Sequence, residues 1–198
     1  MTIALIEDDE AILRSLGMLL ESRGIPVRGY PSAESFLDDA AAGPPQCVVS
    51  DIRMPGMTGI ELQQELKRRD SAVPVILITG HGDIAMAVQA IKQGAFDFIE
   101  KPFDDERLIA SISQAIESGQ RLRIEQGERA LLVSRAAELS PRQIEVMHLV
   151  AEGFSNKEIA HRLDISPRTV ENYRAWVMEK MSANNLADLV RKVIALKP

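Results

Sequence analysis

Four acids in a row, Glu7, Asp8, Asp9 and Glu10, close the apolar run IALI at residues 3–6. A lone acid, Asp51, closes the run CVVS at 47–50, Thr79 ends VPVILIT, and Lys101 follows DFIE. Each run has the length of a strand, and those at 47–50 and 75–78 have the apolar content of central strands covered on both sides. In an open parallel sheet, ligands bind beyond the carboxyl ends of the strands. Glu7, Asp8, Asp51, Thr79 and Lys101 are therefore expected to meet in one pocket. Three carboxylates held together are costly without a cation. A hard divalent ion with oxygen ligands relieves that cost, and Mg2+ is the expected one. Each residue alone has a simpler role available. Acids ahead of a helix complement its dipole, and Asp9 and Glu10 are assigned that role. Asp51 alone suits an Asx-turn before Pro55 and Gly56. Thr79 alone is a strand-end hydroxyl, and Lys101 a surface charge. Their joint recurrence at strand ends is what favours the pocket.

The elements that must position these residues follow from periodicity. Apolar runs at 3–6, 27–30, 47–50, 73–79 and 97–100 alternate with stripes of helical spacing. Ile12, Leu16, Leu19 and Leu20 form one stripe, and Ile60, Leu62 and Leu66 a second. Ala87, Val88 and Ile91 form a third, and Leu108, Ile112 and Ile116 a fourth. Strand and helix in alternation predict an α/β domain, doubly wound on a five-stranded parallel sheet with helices on both faces. Residues 119–136 read as a charged amphipathic helix or linker. Beyond them the pattern is helical only, over 141–152, 155–163, 167–181 and 184–196. Ser140, Ser155 and Ser166 are the expected N-caps, two of them followed by proline at the first helical position. Gly153 is the expected stop of the first of these helices.

The 198 residues suffice for one large domain or two small ones. The net charge of −6 argues against a bulk basic coat for nucleic acid. The charge is uneven: residues 1–119 sum to −9, 120–136 to +2 and 137–198 to +1. That asymmetry predicts two units with different partners. The single cysteine, Cys47, excludes an internal disulfide and is expected to be a small buried hydrophobe. The first residues lack the basic and apolar regions of a signal peptide. No run of about 18 apolar residues occurs, so no membrane span is expected. A cytoplasmic location is the corresponding expectation.

The segments EDD, SDIRMPGMTG, ITGHGD and DFIEKPF resemble the receiver domain of two-component response regulators, especially of the FixJ type. The resemblance extends over the whole chain. It implies that Asp51 accepts a phosphoryl group from a sensor histidine kinase. It implies Mg2+ held by Asp8, by Glu7 directly or through water, by Asp51, and by the carbonyl of Arg53. Glu7 departs from the aspartate more common there, and its extra length suits a water-mediated contact. Thr79 and Lys101 would hold phosphoryl oxygens, and Lys101-Pro102 would be a cis peptide that aims the ammonium inward. Thr79 and Phe98 would form the switch. The face over 83–94 and 104–116 would pair two receivers, giving a homodimer on phosphorylation.

The stretch from LSPRQIEVMHLV to RAWVMEKM resembles the LuxR-type helix-turn-helix. The residues agree with that mounting: a short helix SNKEIAHRLD, a tight turn ISP, and a second helix RTVENYRAWVMEKM. On the second helix Val170, Tyr173, Val177 and Met181 make one apolar stripe. Arg168, Glu171, Asn172, Ala175 and Glu179 lie opposite. Glu171 and Asn172 are the candidates for reading bases. Lys157, Arg168, Thr169 and Lys180 are the candidates for phosphates of double-stranded promoter DNA. Arg174 falls on the apolar side and either snorkels to a phosphate or contacts the protein. Trp176 is either packing or contact.

The expected organisation is a receiver at 1–119, a helical linker at 120–136, and an all-α four-helix domain of LuxR type at 137–198. The expected function is a phosphorylation-controlled transcription regulator rather than an enzyme, with self-phosphorylation on Asp51 as its one reaction. Two other classes fit parts of the pattern. A phosphohydrolase working through an aspartyl-phosphate usually carries a second acid two residues after the nucleophile, where this chain has Arg53. A receiver could also control a helical protein-interaction module, which would lack the steep salt dependence of DNA binding.

Overall fold

The computed structural model describes residues 2–39, 41, 43–69, 71–80 and 84–196. His81, Gly82 and Asp83 of the ITGHGD motif lie outside the described residues. The chain divides into two compact units, Met1–Arg123 and Ile124–Pro198.

In the first unit, strands β1 (Ile3–Ile6), β2 (Val27–Tyr30), β3 (Val48–Asp51), β4 (Val75–Thr79) and β5 (Asp97–Glu100) alternate with helices. The helices are α1 (Glu10–Ser22), α2 (Ala33–Asp38), α3 (Gly59–Arg68) and α4 (Ile84–Gln93), and α5 (Asp105–Ala137) begins here. Among the described residues the strands form one five-stranded sheet in the order β2-β1-β3-β4-β5, with every pairing parallel.

The period of two along each strand splits the core into two layers. Ile3, Leu5, Val49, Ile76, Ile78 and Ile99 join Leu20, Leu108 and Ile112 beneath α1 and α5. Ala4, Ile6, Val48, Val75 and Leu77 join Leu62, Leu66 and Ala90 beneath α3 and α4. Strands covered on both sides need no polar alternation, which explains the unbroken apolar runs. Each buried Ile or Leu contributes about 1.5–3 kcal/mol relative to exposure.

Helix entries use the expected chemistry. Asp9 caps α1, accepting the N–H groups of Ala11 and Ile12 at 2.8 and 3.1 Å. Thr58 and Glu61 form a reciprocal capping box on α3. Two elements depart from the sequence reading. Helix α2 has no apolar stripe long enough to announce it, and its capping box joins Ser32 to Ser35. The stripe Ala87, Val88 and Ile91 of α4 faces outward, with Val88 46% and Ile91 47% exposed. Ala90 and Met86 carry the core contact of that helix instead.

The second unit holds α6 (Pro141–Ala151), α7 (Asn156–Leu163), α8 (Pro167–Lys180) and α9 (Leu186–Leu196). Ser140, Ser155 and Ser166 cap α6, α7 and α8 through their side chains. Gly153, with φ +92°, follows the end of α6. Val146, Met147, Val150, Ile159, Val170, Val177, Met181, Leu189 and Val193 are buried in one core. Asp164 takes a left-handed conformation, φ 54°, and turns the chain from α7 into α8. Among the described residues no helix is long and apolar enough to cross a membrane.

Candidate functional site: a paired-carboxylate pocket and a helical recognition face

Three backbone bonds extend the sheet beyond its strands and set the pocket. The Glu7 N–H donates to the Tyr30 carbonyl at 3.1 Å, Ile52 N–H to Ile78 at 2.9 Å, and Lys101 N–H to Thr79 at 2.7 Å. The alternation that buries Leu5, Val49 and Ile99 on one face then sends Glu7, Asp51 and Lys101 to that same face. The Lys101 ammonium donates to Glu7 Oε2 at 2.7 Å and to Asp51 Oδ2 at 2.8 Å. Its side chain is 20% exposed, against 4% for Glu7 and 11% for Asp51. Lys101-Pro102 is cis.

The other polar atoms of the pair are also engaged. Asp51 Oδ1 accepts the Arg53 N–H at 3.0 Å, and Glu7 Oε1 the Asp9 N–H at 3.4 Å. Burial raises the Glu7 carboxyl above the ordinary glutamate value, the Lys101 bond and charge oppose the rise, and the Asp51 charge adds to it. For Lys101, burial works against the ammonium, but the bonds to Asp51 and Glu7 outweigh it and hold the pKa above the ordinary lysine value. The ammonium thus serves as the cation that two neighbouring carboxylates require.

Thr79 and Phe98 occupy the opposite parity. Thr79 is fully buried at the end of β4, and Phe98 is half-buried against the core beneath α4. The register pairs Leu77 with Phe98 and Thr79 with Glu100, so Thr79 and Phe98 lie two residues apart in register, on the same face of neighbouring strands.

The described donors suit a hard ion: carboxylates at the ends of β1 and β3, with oxygen as the ligating atom. Among the described residues no three His, Cys, Asp or Glu side chains stand together as a ready metal cage. Glu7 and Asp51 share the Lys101 ammonium, and Asp8 is exposed beside them. Mg2+ typically takes one or two protein carboxylates and keeps several waters, so this set fits it.

Two residues outside the expected set touch the loop 52–58. A Cβ at Gly59 would run into the Asp51 carbonyl oxygen, so only glycine lets α3 start this close to β3. Glu34 Oε1 accepts the Met57 N–H at 2.7 Å. Gly59 stood within the SDIRMPGMTG motif; nothing in the spacing of Glu34 pointed to the loop.

In the second unit, Val170, Val177 and Met181 are buried and Tyr173 is half-buried, as the stripe predicted. Lys157, Arg168, Glu171 and Asn172 are exposed. The Thr169 hydroxyl lies 2.8 Å from that of Ser166, within the cap of α8. Lys180 is turned inward: its ammonium donates to the Glu138 carbonyl at 2.7 Å and to Gln143 Oε1 at 3.1 Å. A lysine at the end of a helix can reach back to neighbouring carbonyls, and this one closes the scaffold. Arg174 donates to Asn156 Oδ1 at 2.7 Å, tying α8 to the first turn of α7. Trp176 meets Tyr173 edge to face at 5.7 Å and is 49% exposed.

Comparison with known proteins matches both units. The response regulator receiver domain family matches residues 3–113, and the luxR family of bacterial regulatory proteins matches residues 137–193. The chain is 48% identical to transcriptional regulatory protein FixJ of Bradyrhizobium diazoefficiens, over 96% of this chain and 92% of that one. It is 40% identical to response regulator protein TodT of Pseudomonas putida, over 98% of this chain and 86% of that one. Among solved structures, response regulator StyR aligns with TM-score 0.84 at 36% identity, covering 98% of each chain. Full-length FixJ from B. japonicum aligns with TM-score 0.59 at 47% identity, covering 98% of this chain and 96% of that one.

Proposed function

Because this chain belongs to the two-component transcriptional response regulators, with a receiver domain and a LuxR-type DNA-binding domain, we propose that Asp51 is its phosphoacceptor and that phosphorylation gates promoter binding. The observation that carries this reading is the Lys101 ammonium shared by Glu7 and Asp51 at the carboxyl edge of the sheet. The family regulates transcription and is not one of catalytic enzymes. The one reaction proposed for the chain is its own phosphorylation.

In that reaction an Asp51 oxygen attacks the phosphorus of a phosphohistidine on the sensor kinase. The P–N bond breaks as the P–O bond forms, and the imidazole leaves. Phosphoryl transfer asks for an in-line nucleophile and neutralised equatorial oxygens. Lys101 already stands 2.8 Å from Asp51 and moves from carboxylate to phosphoryl oxygen without leaving the pocket. Glu7, Asp8, Asp51 and the Arg53 carbonyl would hold Mg2+, which supplies further neutralisation of those oxygens.

Thr79 and Phe98 are proposed as the switch. Moving a population from about 1:99 to 99:1 takes about 5.5 kcal/mol. A Thr79 hydroxyl bond to a charged phosphoryl oxygen contributes roughly 1.5–3 kcal/mol. Full burial of a side chain such as Phe98 contributes at most roughly 1.5–3 kcal/mol, and less here because it starts half-buried. The strengthened Lys101 contact makes up the difference. The responding surface is the apolar depression of Ala87, Val88, Ile91 and Phe98, edged by Lys92 and Asp97. Its exposed Val88 and Ile91 suit a homodimer formed on phosphorylation.

The proposed organisation is a receiver at 1–119, a linker at 120–136 and a DNA-binding domain at 137–198, working in the cytoplasm. Glu171 and Asn172 are proposed to read bases, and Lys157, Arg168 and Thr169 to hold phosphates. Lys180, engaged at Glu138 and Gln143, is left to the scaffold. A net charge of +1 over 137–198 makes binding by one copy weak, so pairing two copies on adjacent half-sites is the natural gate. The test is a gel shift on cognate promoter DNA with and without a small-molecule phosphodonor. Phosphodonor should tighten binding by the wild type and leave Asp51→Asn unchanged; equal responses would remove phosphate from the mechanism.

A further inference from the structure

Glu34 sits in the first turn of α2, away from the Lys101 ammonium, yet it reaches the loop that leaves Asp51. Its Oε1 accepts the Met57 N–H at 2.7 Å, a bond spanning 23 residues of chain. Gly56, with φ +78°, passes directly under the same carboxylate, and a Cβ there would lie 2.5 Å from Oε1. The carboxyl is held below the usual glutamate range by its own backbone N–H, then by the Met57 N–H, with the Ser32 side chain adding to both. It is therefore an anion fixed at its root on α2 and fastened at its tip to the loop.

The near limb of that loop is held by Asp51 itself, whose Oδ1 accepts the Arg53 N–H at 3.0 Å. Its base is anchored by Met54, buried in the core beneath α3. Arg53, Pro55 and Gly56 are exposed, so Met54 is the packed residue of the stretch, and the Glu34 bond holds its far end. The Arg53 carbonyl, which is needed at the metal, belongs to that stretch.

We propose that Glu34 is a positioning residue for the phosphoacceptor loop: by fastening the Met57 N–H it sets where the Arg53 carbonyl stands, and so how tightly the pocket binds Mg2+. This rests on the reading of Asp51 as phosphoacceptor and of the Arg53 carbonyl as a metal ligand. Groups that orient metal ligands without touching the metal commonly control affinity in this way.

The test is Mg2+ titration of the full-length chain by calorimetry, without phosphodonor, for wild type, Glu34→Ala, Glu34→Gln and Glu34→Asp. Glu34→Ala should weaken Mg2+ binding about tenfold, the lower end of the range for such supporting residues. Glu34→Asp keeps the charge but withdraws the oxygen by one methylene, and should weaken binding nearly as much. Glu34→Gln keeps an accepting oxygen in reach of the Met57 N–H and should bind Mg2+ as the wild type does. With acetyl phosphate added, the Mg2+ needed for half-maximal phosphorylation should rise by the same factor, with the rate at saturating Mg2+ unchanged. A lowered melting temperature with unaltered Mg2+ affinity in Glu34→Ala and Glu34→Asp would overturn the inference. A wild type that neither binds Mg2+ nor takes up phosphate would instead overturn the reading beneath it.

Discussion

Lys101 in the first unit and Lys180 in the second each hold two oxygens, at 2.7 and 2.8 Å and at 2.7 and 3.1 Å respectively. Their partners separate them. Lys101 faces two carboxylates from different strands, an arrangement that stores charge where a phosphoryl group would arrive. Lys180 faces a backbone carbonyl and a side-chain amide, neutral acceptors whose only gain is a closed helix end. The difference comes from how each fold places side chains. In a parallel sheet every strand ends on the same edge, and the period of two decides which face a residue takes. Glu7, Asp51 and Lys101 share both, and the long Lys101 side chain spans the strands that separate β5 from β1. On a helix the placement depends on phase, and a long side chain can lean off its own face.

The largest effect that sharpens this contrast should come from Lys101→Met. Glu7 and Asp51 then share a pocket with no ammonium, and removing one partner of a buried pair costs about 3–5 kcal/mol when water is excluded. With Lys101 one-fifth exposed, a loss of about 1–3 kcal/mol in the unfolding of the first unit is expected, read by denaturant titration. Because the unpaired acids bind a cation more eagerly, added Mg2+ should restore part of that loss. No restoration would mean that the pocket's acids do not face a common ion.

The next effect lies in the second unit and is read from salt dependence. Arg168→Met should lower the slope of log affinity against log salt by about one, as the loss of one phosphate contact requires. Lys180→Met should leave the slope as it is and cost roughly 0.5–1.5 kcal/mol of stability, through its bonds to Glu138 and Gln143. A lowered slope for Lys180→Met would return that residue to the DNA and erase the distinction from Lys101.

The contrast also marks what the residues alone revealed. The strand ends were legible because topology leaves them no other place: Asp51 ends β3 and Thr79 ends β4 as read. The serine caps of α6, α7 and α8 were legible because each caps through a local bond. Orientation was harder. Both sides of α4 are apolar, so spacing alone did not show that Met86 and Ala90 face inward while Val88 and Ile91 face water. Helix α2 is six residues long, too short for its apolar residues to form a stripe that spacing reveals. Arg174, ambiguous by helical phase, is decided by Asn156, 18 residues away in sequence. Long-range polar bonds of that kind, like Glu34 to Met57, leave no periodic trace.

The smallest effect concerns Cys47, at the other end of β3 from the reacting edge. Burial pushes its thiol up to about 12. Below that pH the thiol stays protonated in the folded chain, and it becomes reactive only when the first unit opens. Alkylation at pH 8 should therefore be slow in the native protein and fast in denaturant. Rapid native labelling would place Cys47 outside the core that holds β3, and with it Asp51, in register.

The most direct measurement is the intact mass of wild type and Asp51→Asn after incubation with acetyl phosphate and Mg2+. One added phosphoryl group is expected on the wild type, released by hydroxylamine as an acyl phosphate must be, and none on Asp51→Asn. The same mass gain in both proteins would contradict it, because the phosphoryl group would then sit outside the pocket that Glu7, Asp51 and Lys101 build.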